Sequence, residues 1–262
     1  MSQNDTNVLK PSVDLGILIG LLLTDGSVRT NKKAHTWKIN LSGKSDELHS
    51  IFKNKMKKIF GLIKCTEWTD KKGVNATEFN SKLAVQKLLK FSPTFRTKKF
   101  DDGTFPNAKI PEFFNDLSAN NLARVFQIMF SADGCVSFGV FWDEKKRRWE
   151  LKRRIQLSSR HPEIKQQIAN LLRERFLINP RVEKRGLILD RKQDILKFAK
   201  EIRFVDGVKI TRDSKNWCGF EKNQILDIVI RSMKLKKKDL QKFRTKEEII
   251  HFLKTLVTVQ AS

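Results

Sequence analysis

Leu18-Ile-Gly-Leu-Leu-Leu-Thr-Asp-Gly26 and Phe126-Gln-Ile-Met-Phe-Ser-Ala-Asp-Gly134 are two apolar runs of helical character that close on the same Asp-Gly pair. One such run alone reads as a buried helix with an Asp-Gly turn at its C-terminus. Two of them, with Asp25 and Asp133 standing 108 positions apart and similar patterns following each, read as a duplicated unit. A carboxylate is out of place at a helix C-terminus, where the macrodipole already concentrates negative charge. Two such acids brought side by side call for a cation. A symmetric acid pair with divalent metal between its members suits phosphodiester cleavage. Mg²⁺ fits, as a hard ion held by a few carboxylates while it keeps waters and phosphate oxygens.

Outward from the first run, the helix begins near Pro11, with Ser12 or Asp14 as its cap. Strands fit residues 27–30 and 35–42. Ser45-Asp46-Glu47 opens a helix with apolar positions at Leu48, Ile51, Phe52, Met56, Ile59 and Phe60, ending at Gly61. Strands at 64–69 and 74–79 are joined by the turn Asp70-Lys-Lys-Gly73, and a helix over 81–91 closes the unit as αββαββα. The second half repeats it: Ile39-Asn-Leu-Ser-Gly-Lys44 matches Ile155-Gln-Leu-Ser-Ser-Arg160, a helix spans 162–176, a hairpin lies in 182–189, and a helix covers 192–203. Its additional residues fall at 142–149 and lengthen the first hairpin. The fold class is therefore α+β, with two αββαββα units related by a pseudo-twofold axis.

The chain carries 53 Lys+Arg against 29 Asp+Glu, a net charge of +24 over 262 residues. A charge field of that size attracts a polyanion and makes its binding salt-dependent. Nucleic acid is the partner it fits best. An anionic membrane is the competitor, but the longest apolar run, residues 15–23, falls well short of the ~20 needed to span a bilayer. Strands alternate faces, so one side can pack on helices while the other meets base edges and phosphates. The candidates for that side are Arg29, Lys32, Lys38, Asn40 and Lys72 in the first half. In the second they are Lys145, Arg147, Arg148, Lys152, Arg154, Gln156 and Arg185.

The Asp-Gly runs resemble the LAGLIDADG homing endonuclease motif, whose eighth position is the metal-binding acid and whose ninth is glycine. Asp25 and Asp133 fall on the eighth position; Gly20 takes the third in the first copy, while Ile128 stands there in the second. The resemblance implies motif helices packed at the interface of the two units and two sheets forming a saddle over DNA. It places Asp25 and Asp133, with Thr24 and Ala132 before them, in a site holding two or three Mg²⁺ ions. Lys109-Ile-Pro-Glu-Phe-Phe114 looks like the connection in single-chain enzymes of this family, where a lysine before Ile-Pro points into the active site. Lys109 matches it, and Lys209 stands at the related place after the closing helix of the second unit. Both would act as electrostatic stabilisers, or as ordinary backbone contacts in a chain so rich in lysine. The implied activity is a site-specific double-strand break in DNA with short 3′ overhangs by a monomeric, intron-encoded enzyme. An RNA maturase that assists its host intron, or a non-catalytic nucleic-acid-binding regulator of the same fold, are the alternatives.

The expected boundaries are 1–108 and 109–218 for the two units and 219–262 for a basic helical extension, with amphipathic stretches at 223–233 and 246–259 around the lysine run 234–238. His35, His49, His161 and His251 lie too far apart for a local zinc pair and read as surface or strand residues. Cys65, Cys135 and Cys218 lack metal-ligand spacing and read as reduced thiols of an intracellular protein. The first residues lack the apolar core of a signal peptide, and cytoplasm and organelle matrix are not distinguished. Tyrosine is absent, which removes nucleases and recombinases that depend on it. The five tryptophans read as core or strand residues before base-stacking ones.

Overall fold

The computed structural model describes residues 9–31, 33–61, 64–211 and 214–258. The first motif run forms α1 (Val13–Leu23), and Ser12 caps it by accepting the Leu15 N–H at 3.3 Å. Asp14, the other expected cap, instead ties α1 to the next helix through Lys55 at 2.5 Å and Lys58 at 2.6 Å. There follow β1 (Gly26–Asn31), β2 (Thr36–Gly43), α2 (Asp46–Phe60), β3 (Cys65–Thr69), β4 (Asn75–Asn80) and α3 (Lys82–Leu88). Ser45 and Ser81, where the two helices are expected to begin, cap α2 and α3 with their side chains, and Gly61, at φ +80°, ends α2. The Asp70 turn closes through its Oδ1, which accepts the N–H groups of Lys72 and Val74.

A single 3₁₀ turn, Glu112–Phe114, leads into the second motif helix, α4 (Ala119–Asp133), which starts seven residues before the quoted run at Phe126, with Ser118 supplying its cap. Then come β5 (Gly134–Asp143), β6 (Arg148–Ser158), α5 (Pro162–Phe176), β7 (Arg181–Glu183), β8 (Gly186–Leu189) and α6 (Lys192–Glu201). Each unit forms one antiparallel four-stranded sheet, ordered β1-β2-β4-β3 and β5-β6-β8-β7, so the duplication read from sequence is a duplication of topology. The lengthened hairpin is two long strands paired from Gly134↔Leu157 to Asp143↔Arg148.

The core runs without interruption through both units, centred on α1 packed along α4. Close packing of helices needs small residues somewhere on the contact. Here α1 supplies them: a Cβ at Gly16 would stand 2.9 Å from Val125 Cγ2, and one at Gly20 3.1 Å from Met129 Cγ. Val125 and Met129, one turn apart, thus enter the two glycine notches of α1. Ile128, at the position where the first copy has glycine, is simply buried.

Past the second unit, α7 (Lys222–Ser232), α8 (Lys237–Gln241) and α9 (Lys246–Thr258) form the extension. The extension and the segment that leads into it dock on the second sheet through polar bonds as well as apolar contact. Trp217 Nε1 donates to the Phe138 carbonyl at 2.8 Å, and Arg153 donates from Nε and Nη2 to Ser232 Oγ and the Ser232 carbonyl at 2.8 Å each. Phe138 stacks on Trp217.

Candidate active site

Asp25 follows α1 and Asp133 ends α4, so the packing of the two helices brings the acids together at one end of the interface. Their carboxyl groups lie close enough for each to act on the ionisation of the other. Burial raises both above the usual carboxylate range, and the charge of Asp25 adds to the effect on Asp133, which is pushed up to about 7. Two carboxyls sharing one proton is the metal-free arrangement expected of acids too close to ionise together.

The positive charges that act on this pair come from outside both motifs. Lys222, the first residue of α7, is buried at 8% exposure and donates from Nζ to the Ser131 carbonyl at 2.6 Å and the Gly134 carbonyl at 2.7 Å. It thereby brackets Asp133 and lies close enough to draw down the pKa of both acids, while burial lowers its own. Lys98, an exposed residue of the connection between units, acts on Asp133 as well. No sequence signal marked either lysine, since only the tertiary path of the connection and of the extension brings them to the site. The Lys209 matched by resemblance lines a cavity of about 250 Å³ beside Asp25, together with Gly43, Lys44, His49 and Lys222. Lys109 is half-buried, and its N–H donates to Ser92 Oγ at 3.1 Å.

The donor set suits a hard divalent ion. It offers two carboxylates and neighbouring backbone oxygens with no thiolate or imidazole among them, and no cluster of three His, Cys, Asp or Glu occurs among the described residues. Thr24 Oγ1 is turned back onto the Gly20 and Leu21 carbonyls, so only the backbone of Thr24 could serve a metal. Ala132 offers only its backbone.

Both sheets present one face to the helices and leave the other open. Ile39, Leu41 and Phe79 are buried on the covered side of the first sheet, which by alternation puts Arg29, Lys38 and Asn40 on the open side. Lys38 pairs there with Glu78 at 2.8 Å. In the second sheet Ile155 and Leu157 are buried and Arg153 reaches the extension, so Arg148, Lys152, Arg154 and Gln156 face outward. Arg148 is held by Glu150 at 2.8 Å. Lys72, Lys145, Arg147 and Arg185 sit in hairpin turns at the sheet ends. Lys32 lies outside the described residues.

Two of the four histidines depart from the expected surface or strand setting. His49, on α2, is 5% exposed, and His161, the N-cap of α5, is 2% exposed. His161 accepts the Ile164 N–H at Nδ1 and donates from Nε2 to the Pro106 carbonyl at 2.7 Å, which pins the connection between the units. His35 and His251 are exposed as expected, and all three cysteines are free thiols.

The same architecture occurs in solved structures. The LAGLIDADG meganuclease I-AabMI bound to uncleaved DNA matches over 95% of this chain and 99% of its own, at 12% identity and a TM-score of 0.56. I-DmoI in complex with DNA and Mn matches over 72% of this chain and 96% of its own, at 11% identity and a TM-score of 0.50. No protein-family model and no curated protein matches the sequence. The chain therefore has the LAGLIDADG homing endonuclease fold, in the form that carries two motif units on one polypeptide.

Proposed function

We propose that the chain is a metal-dependent, site-specific DNA endonuclease that cuts both strands of a long target. The observation that carries this reading is the pair Asp25 and Asp133, recessed side by side where the two motif helices end, each acting on the ionisation of the other, between two sheets whose open faces are basic. Both structural relatives named above were solved with DNA, one of them with Mn. Such relatives support a DNA partner and a divalent ion for this chain.

Asp25 and Asp133, with the backbone of Thr24 and Ala132, would hold Mg²⁺. The bound metal would polarise the scissile phosphates and lower the pKa of an attacking water. The chain's own residues do the rest. Lys222 and Lys98 place positive charge beside Asp133, and Lys209 does so in the cavity beside Asp25, where charge grows on phosphate during attack. Lys109 is kept as a candidate for the same role on the other side. Arg29, Lys38, Asn40, Lys152, Arg154 and Gln156 would contact base edges and phosphates from the open faces, the phosphate contacts giving affinity and the base contacts specificity. One scissile phosphate at each acid gives the short 3′ overhang, and a single chain with both acids acts as a monomer.

The test is nicking and linearisation of supercoiled plasmids carrying a library of candidate sites, with Mg²⁺ or Ca²⁺, by wild type and by Asp25→Asn and Asp133→Asn. Linear product that requires Mg²⁺ and vanishes in both variants supports the reading. Cleavage at wild-type level by the double variant would end it. Tight binding to structured intron RNA without cleavage would favour a maturase.

A further inference from the structure

A chain of polar contacts runs through the first unit from the surface to the wall of Asp25. Lys53 pairs with Glu67 at 2.9 Å, Thr77 Oγ1 lies 3.2 Å from Glu67 Oε1, and His49 Nδ1 lies 2.7 Å from Thr77 Oγ1. His49 Nε2 then reaches the Gly43 carbonyl oxygen at 3.3 Å. A carbonyl only accepts, so Nε2 carries a proton and donates it. Both His49 and Thr77 are buried, at 5% and 1% exposure.

The far end of the chain touches the site. Gly43 closes β2 beside the Asp25 carboxylate, close enough that a Cβ built there would just meet Oδ2, at 3.5 Å. The preceding Ser42 donates its N–H to the Asp25 carbonyl at 3.1 Å. His49 and Gly43 also line the same cavity as Asp25.

The second unit lacks this connection, although it keeps a buried polar residue at the same place. The fourth residue of α2 is His49 and the fourth of α5 is Lys165, but Lys165 donates from Nζ to the Glu183 and Lys184 carbonyls at the β7–β8 turn, away from Asp133. Ser159, which matches Gly43, is held through its own N–H by the Arg185 carbonyl. A brace between helix and sheet serves both units; only in the first is it aimed at the acid.

We infer that His49 is a positioning residue for Asp25, holding the Gly43 carbonyl so that the end of β2, bonded to the Asp25 backbone through the Ser42 N–H, fixes the acid and the divalent ion it binds. The inference rests on the metal-binding reading of the acid pair. Partners that orient a metal ligand from behind are worth about 10- to 100-fold in metal affinity.

Mn²⁺ binding to the full chain, followed by electron paramagnetic resonance above pH 7, tests it with no need for the DNA target. His49→Gln keeps a donor where Nε2 stood and drops the bond to Thr77. His49→Asn keeps a polar atom where Nδ1 stood and leaves the Gly43 carbonyl alone. Wild type and His49→Gln should bind alike, while His49→Asn and His49→Ala bind about tenfold more weakly, each shown by its melting curve to be folded at the assay temperature. A merely structural role would move the melting temperature of both polar variants and neither Mn²⁺ affinity. Equal affinity in wild type and His49→Asn, or equal weakness in His49→Gln and His49→Ala, overturns the role of His49 and leaves the nuclease reading standing. Absence of Mn²⁺ binding in wild type overturns both.

Discussion

Asp25 and Asp133 are the residues at which stability and function oppose each other. Asp133 has an ordinary pKa of 3.8 in the unfolded chain and about 7 in the fold, so the folded form holds a proton that the unfolded chain gives up readily. A raised carboxyl pKa contributes no penalty at acid pH and destabilises progressively as pH rises from the unfolded value through about 7. Metal-free protein should therefore melt at a lower temperature above pH 7 than below it, and Mn²⁺ or Mg²⁺ should restore the loss. In Asp133→Asn the fall with pH should be smaller, because the carboxyl held up to about 7 is gone while burial still raises Asp25. Differential scanning calorimetry with and without chelator across that range measures it, and a wild-type melting temperature that rises steadily through pH 7 without metal would contradict the shared proton. The acids were legible in the sequence because their chemistry sits at a fixed place in a repeated phrase. Lys98 and Lys222 were not, because each lies in a stretch with no phrase of its own and reaches the acids only through the folded path of the chain.

Among the elements, the α1–α4 contact shows how an imperfect repeat still makes a tight interface. The first motif copy supplies notches at Gly16 and Gly20 and the second supplies Val125 and Met129 to fill them, so the glycine missing from the second copy is not needed there. Gly16→Ala would set a Cβ 2.9 Å from Val125 Cγ2, and overpacking of this kind costs about 1–3 kcal/mol. Adding Val125→Ala should recover a good part of that loss, although Val125→Ala alone is also destabilising. Urea unfolding of the four proteins as a double-mutant cycle gives the coupling, and strict additivity would show that the notch is not filled as described. Arg153 poses a similar test for the extension. Its side chain is half-buried, with its pKa lowered by partial burial, and its bonds to Ser232 join β6 to the end of α7. Arg153→Met should cost about 2–4 kcal/mol and raise amide exchange in α7 and α9 more than in α1 or α2; uniform exchange across the chain would argue against local docking. Most of these elements could be read from caps and turns, with ends displaced by a few residues, as where α3 stops at Leu88 against an expected 91 and the Ser118 cap sets the start of α4. The short α8 could not, since its lysine run carries no helical period and its start is set by Lys236 and Asp239.

For the whole molecule the decisive quantity is where the +24 charge acts. Lysine and arginine are spread over every surface, so composition alone predicts a polyanion partner without saying which face meets it. The sheet register does say: Lys152 and Arg154 point away from the helices, while Lys57 on α2 and Lys200 on α6 are exposed on the covered side of their sheets. Each phosphate contact that releases counterions adds about 0.9 to the slope of log affinity against log salt. The pair Lys152→Ala and Arg154→Ala should therefore flatten that slope by about 1 to 2 for duplex DNA, and the pair Lys57→Ala and Lys200→Ala, with the same change in net charge, should leave it nearly unchanged. Fluorescence anisotropy with a long random duplex in Ca²⁺ is sufficient, since backbone contacts operate on any sequence. Equal flattening by the two pairs would mean that the duplex senses the overall field and not the open sheet faces. A larger effect of the helical pair would put the nucleic acid on the opposite side of the molecule and remove the basis for placing the scissile phosphates above Asp25 and Asp133.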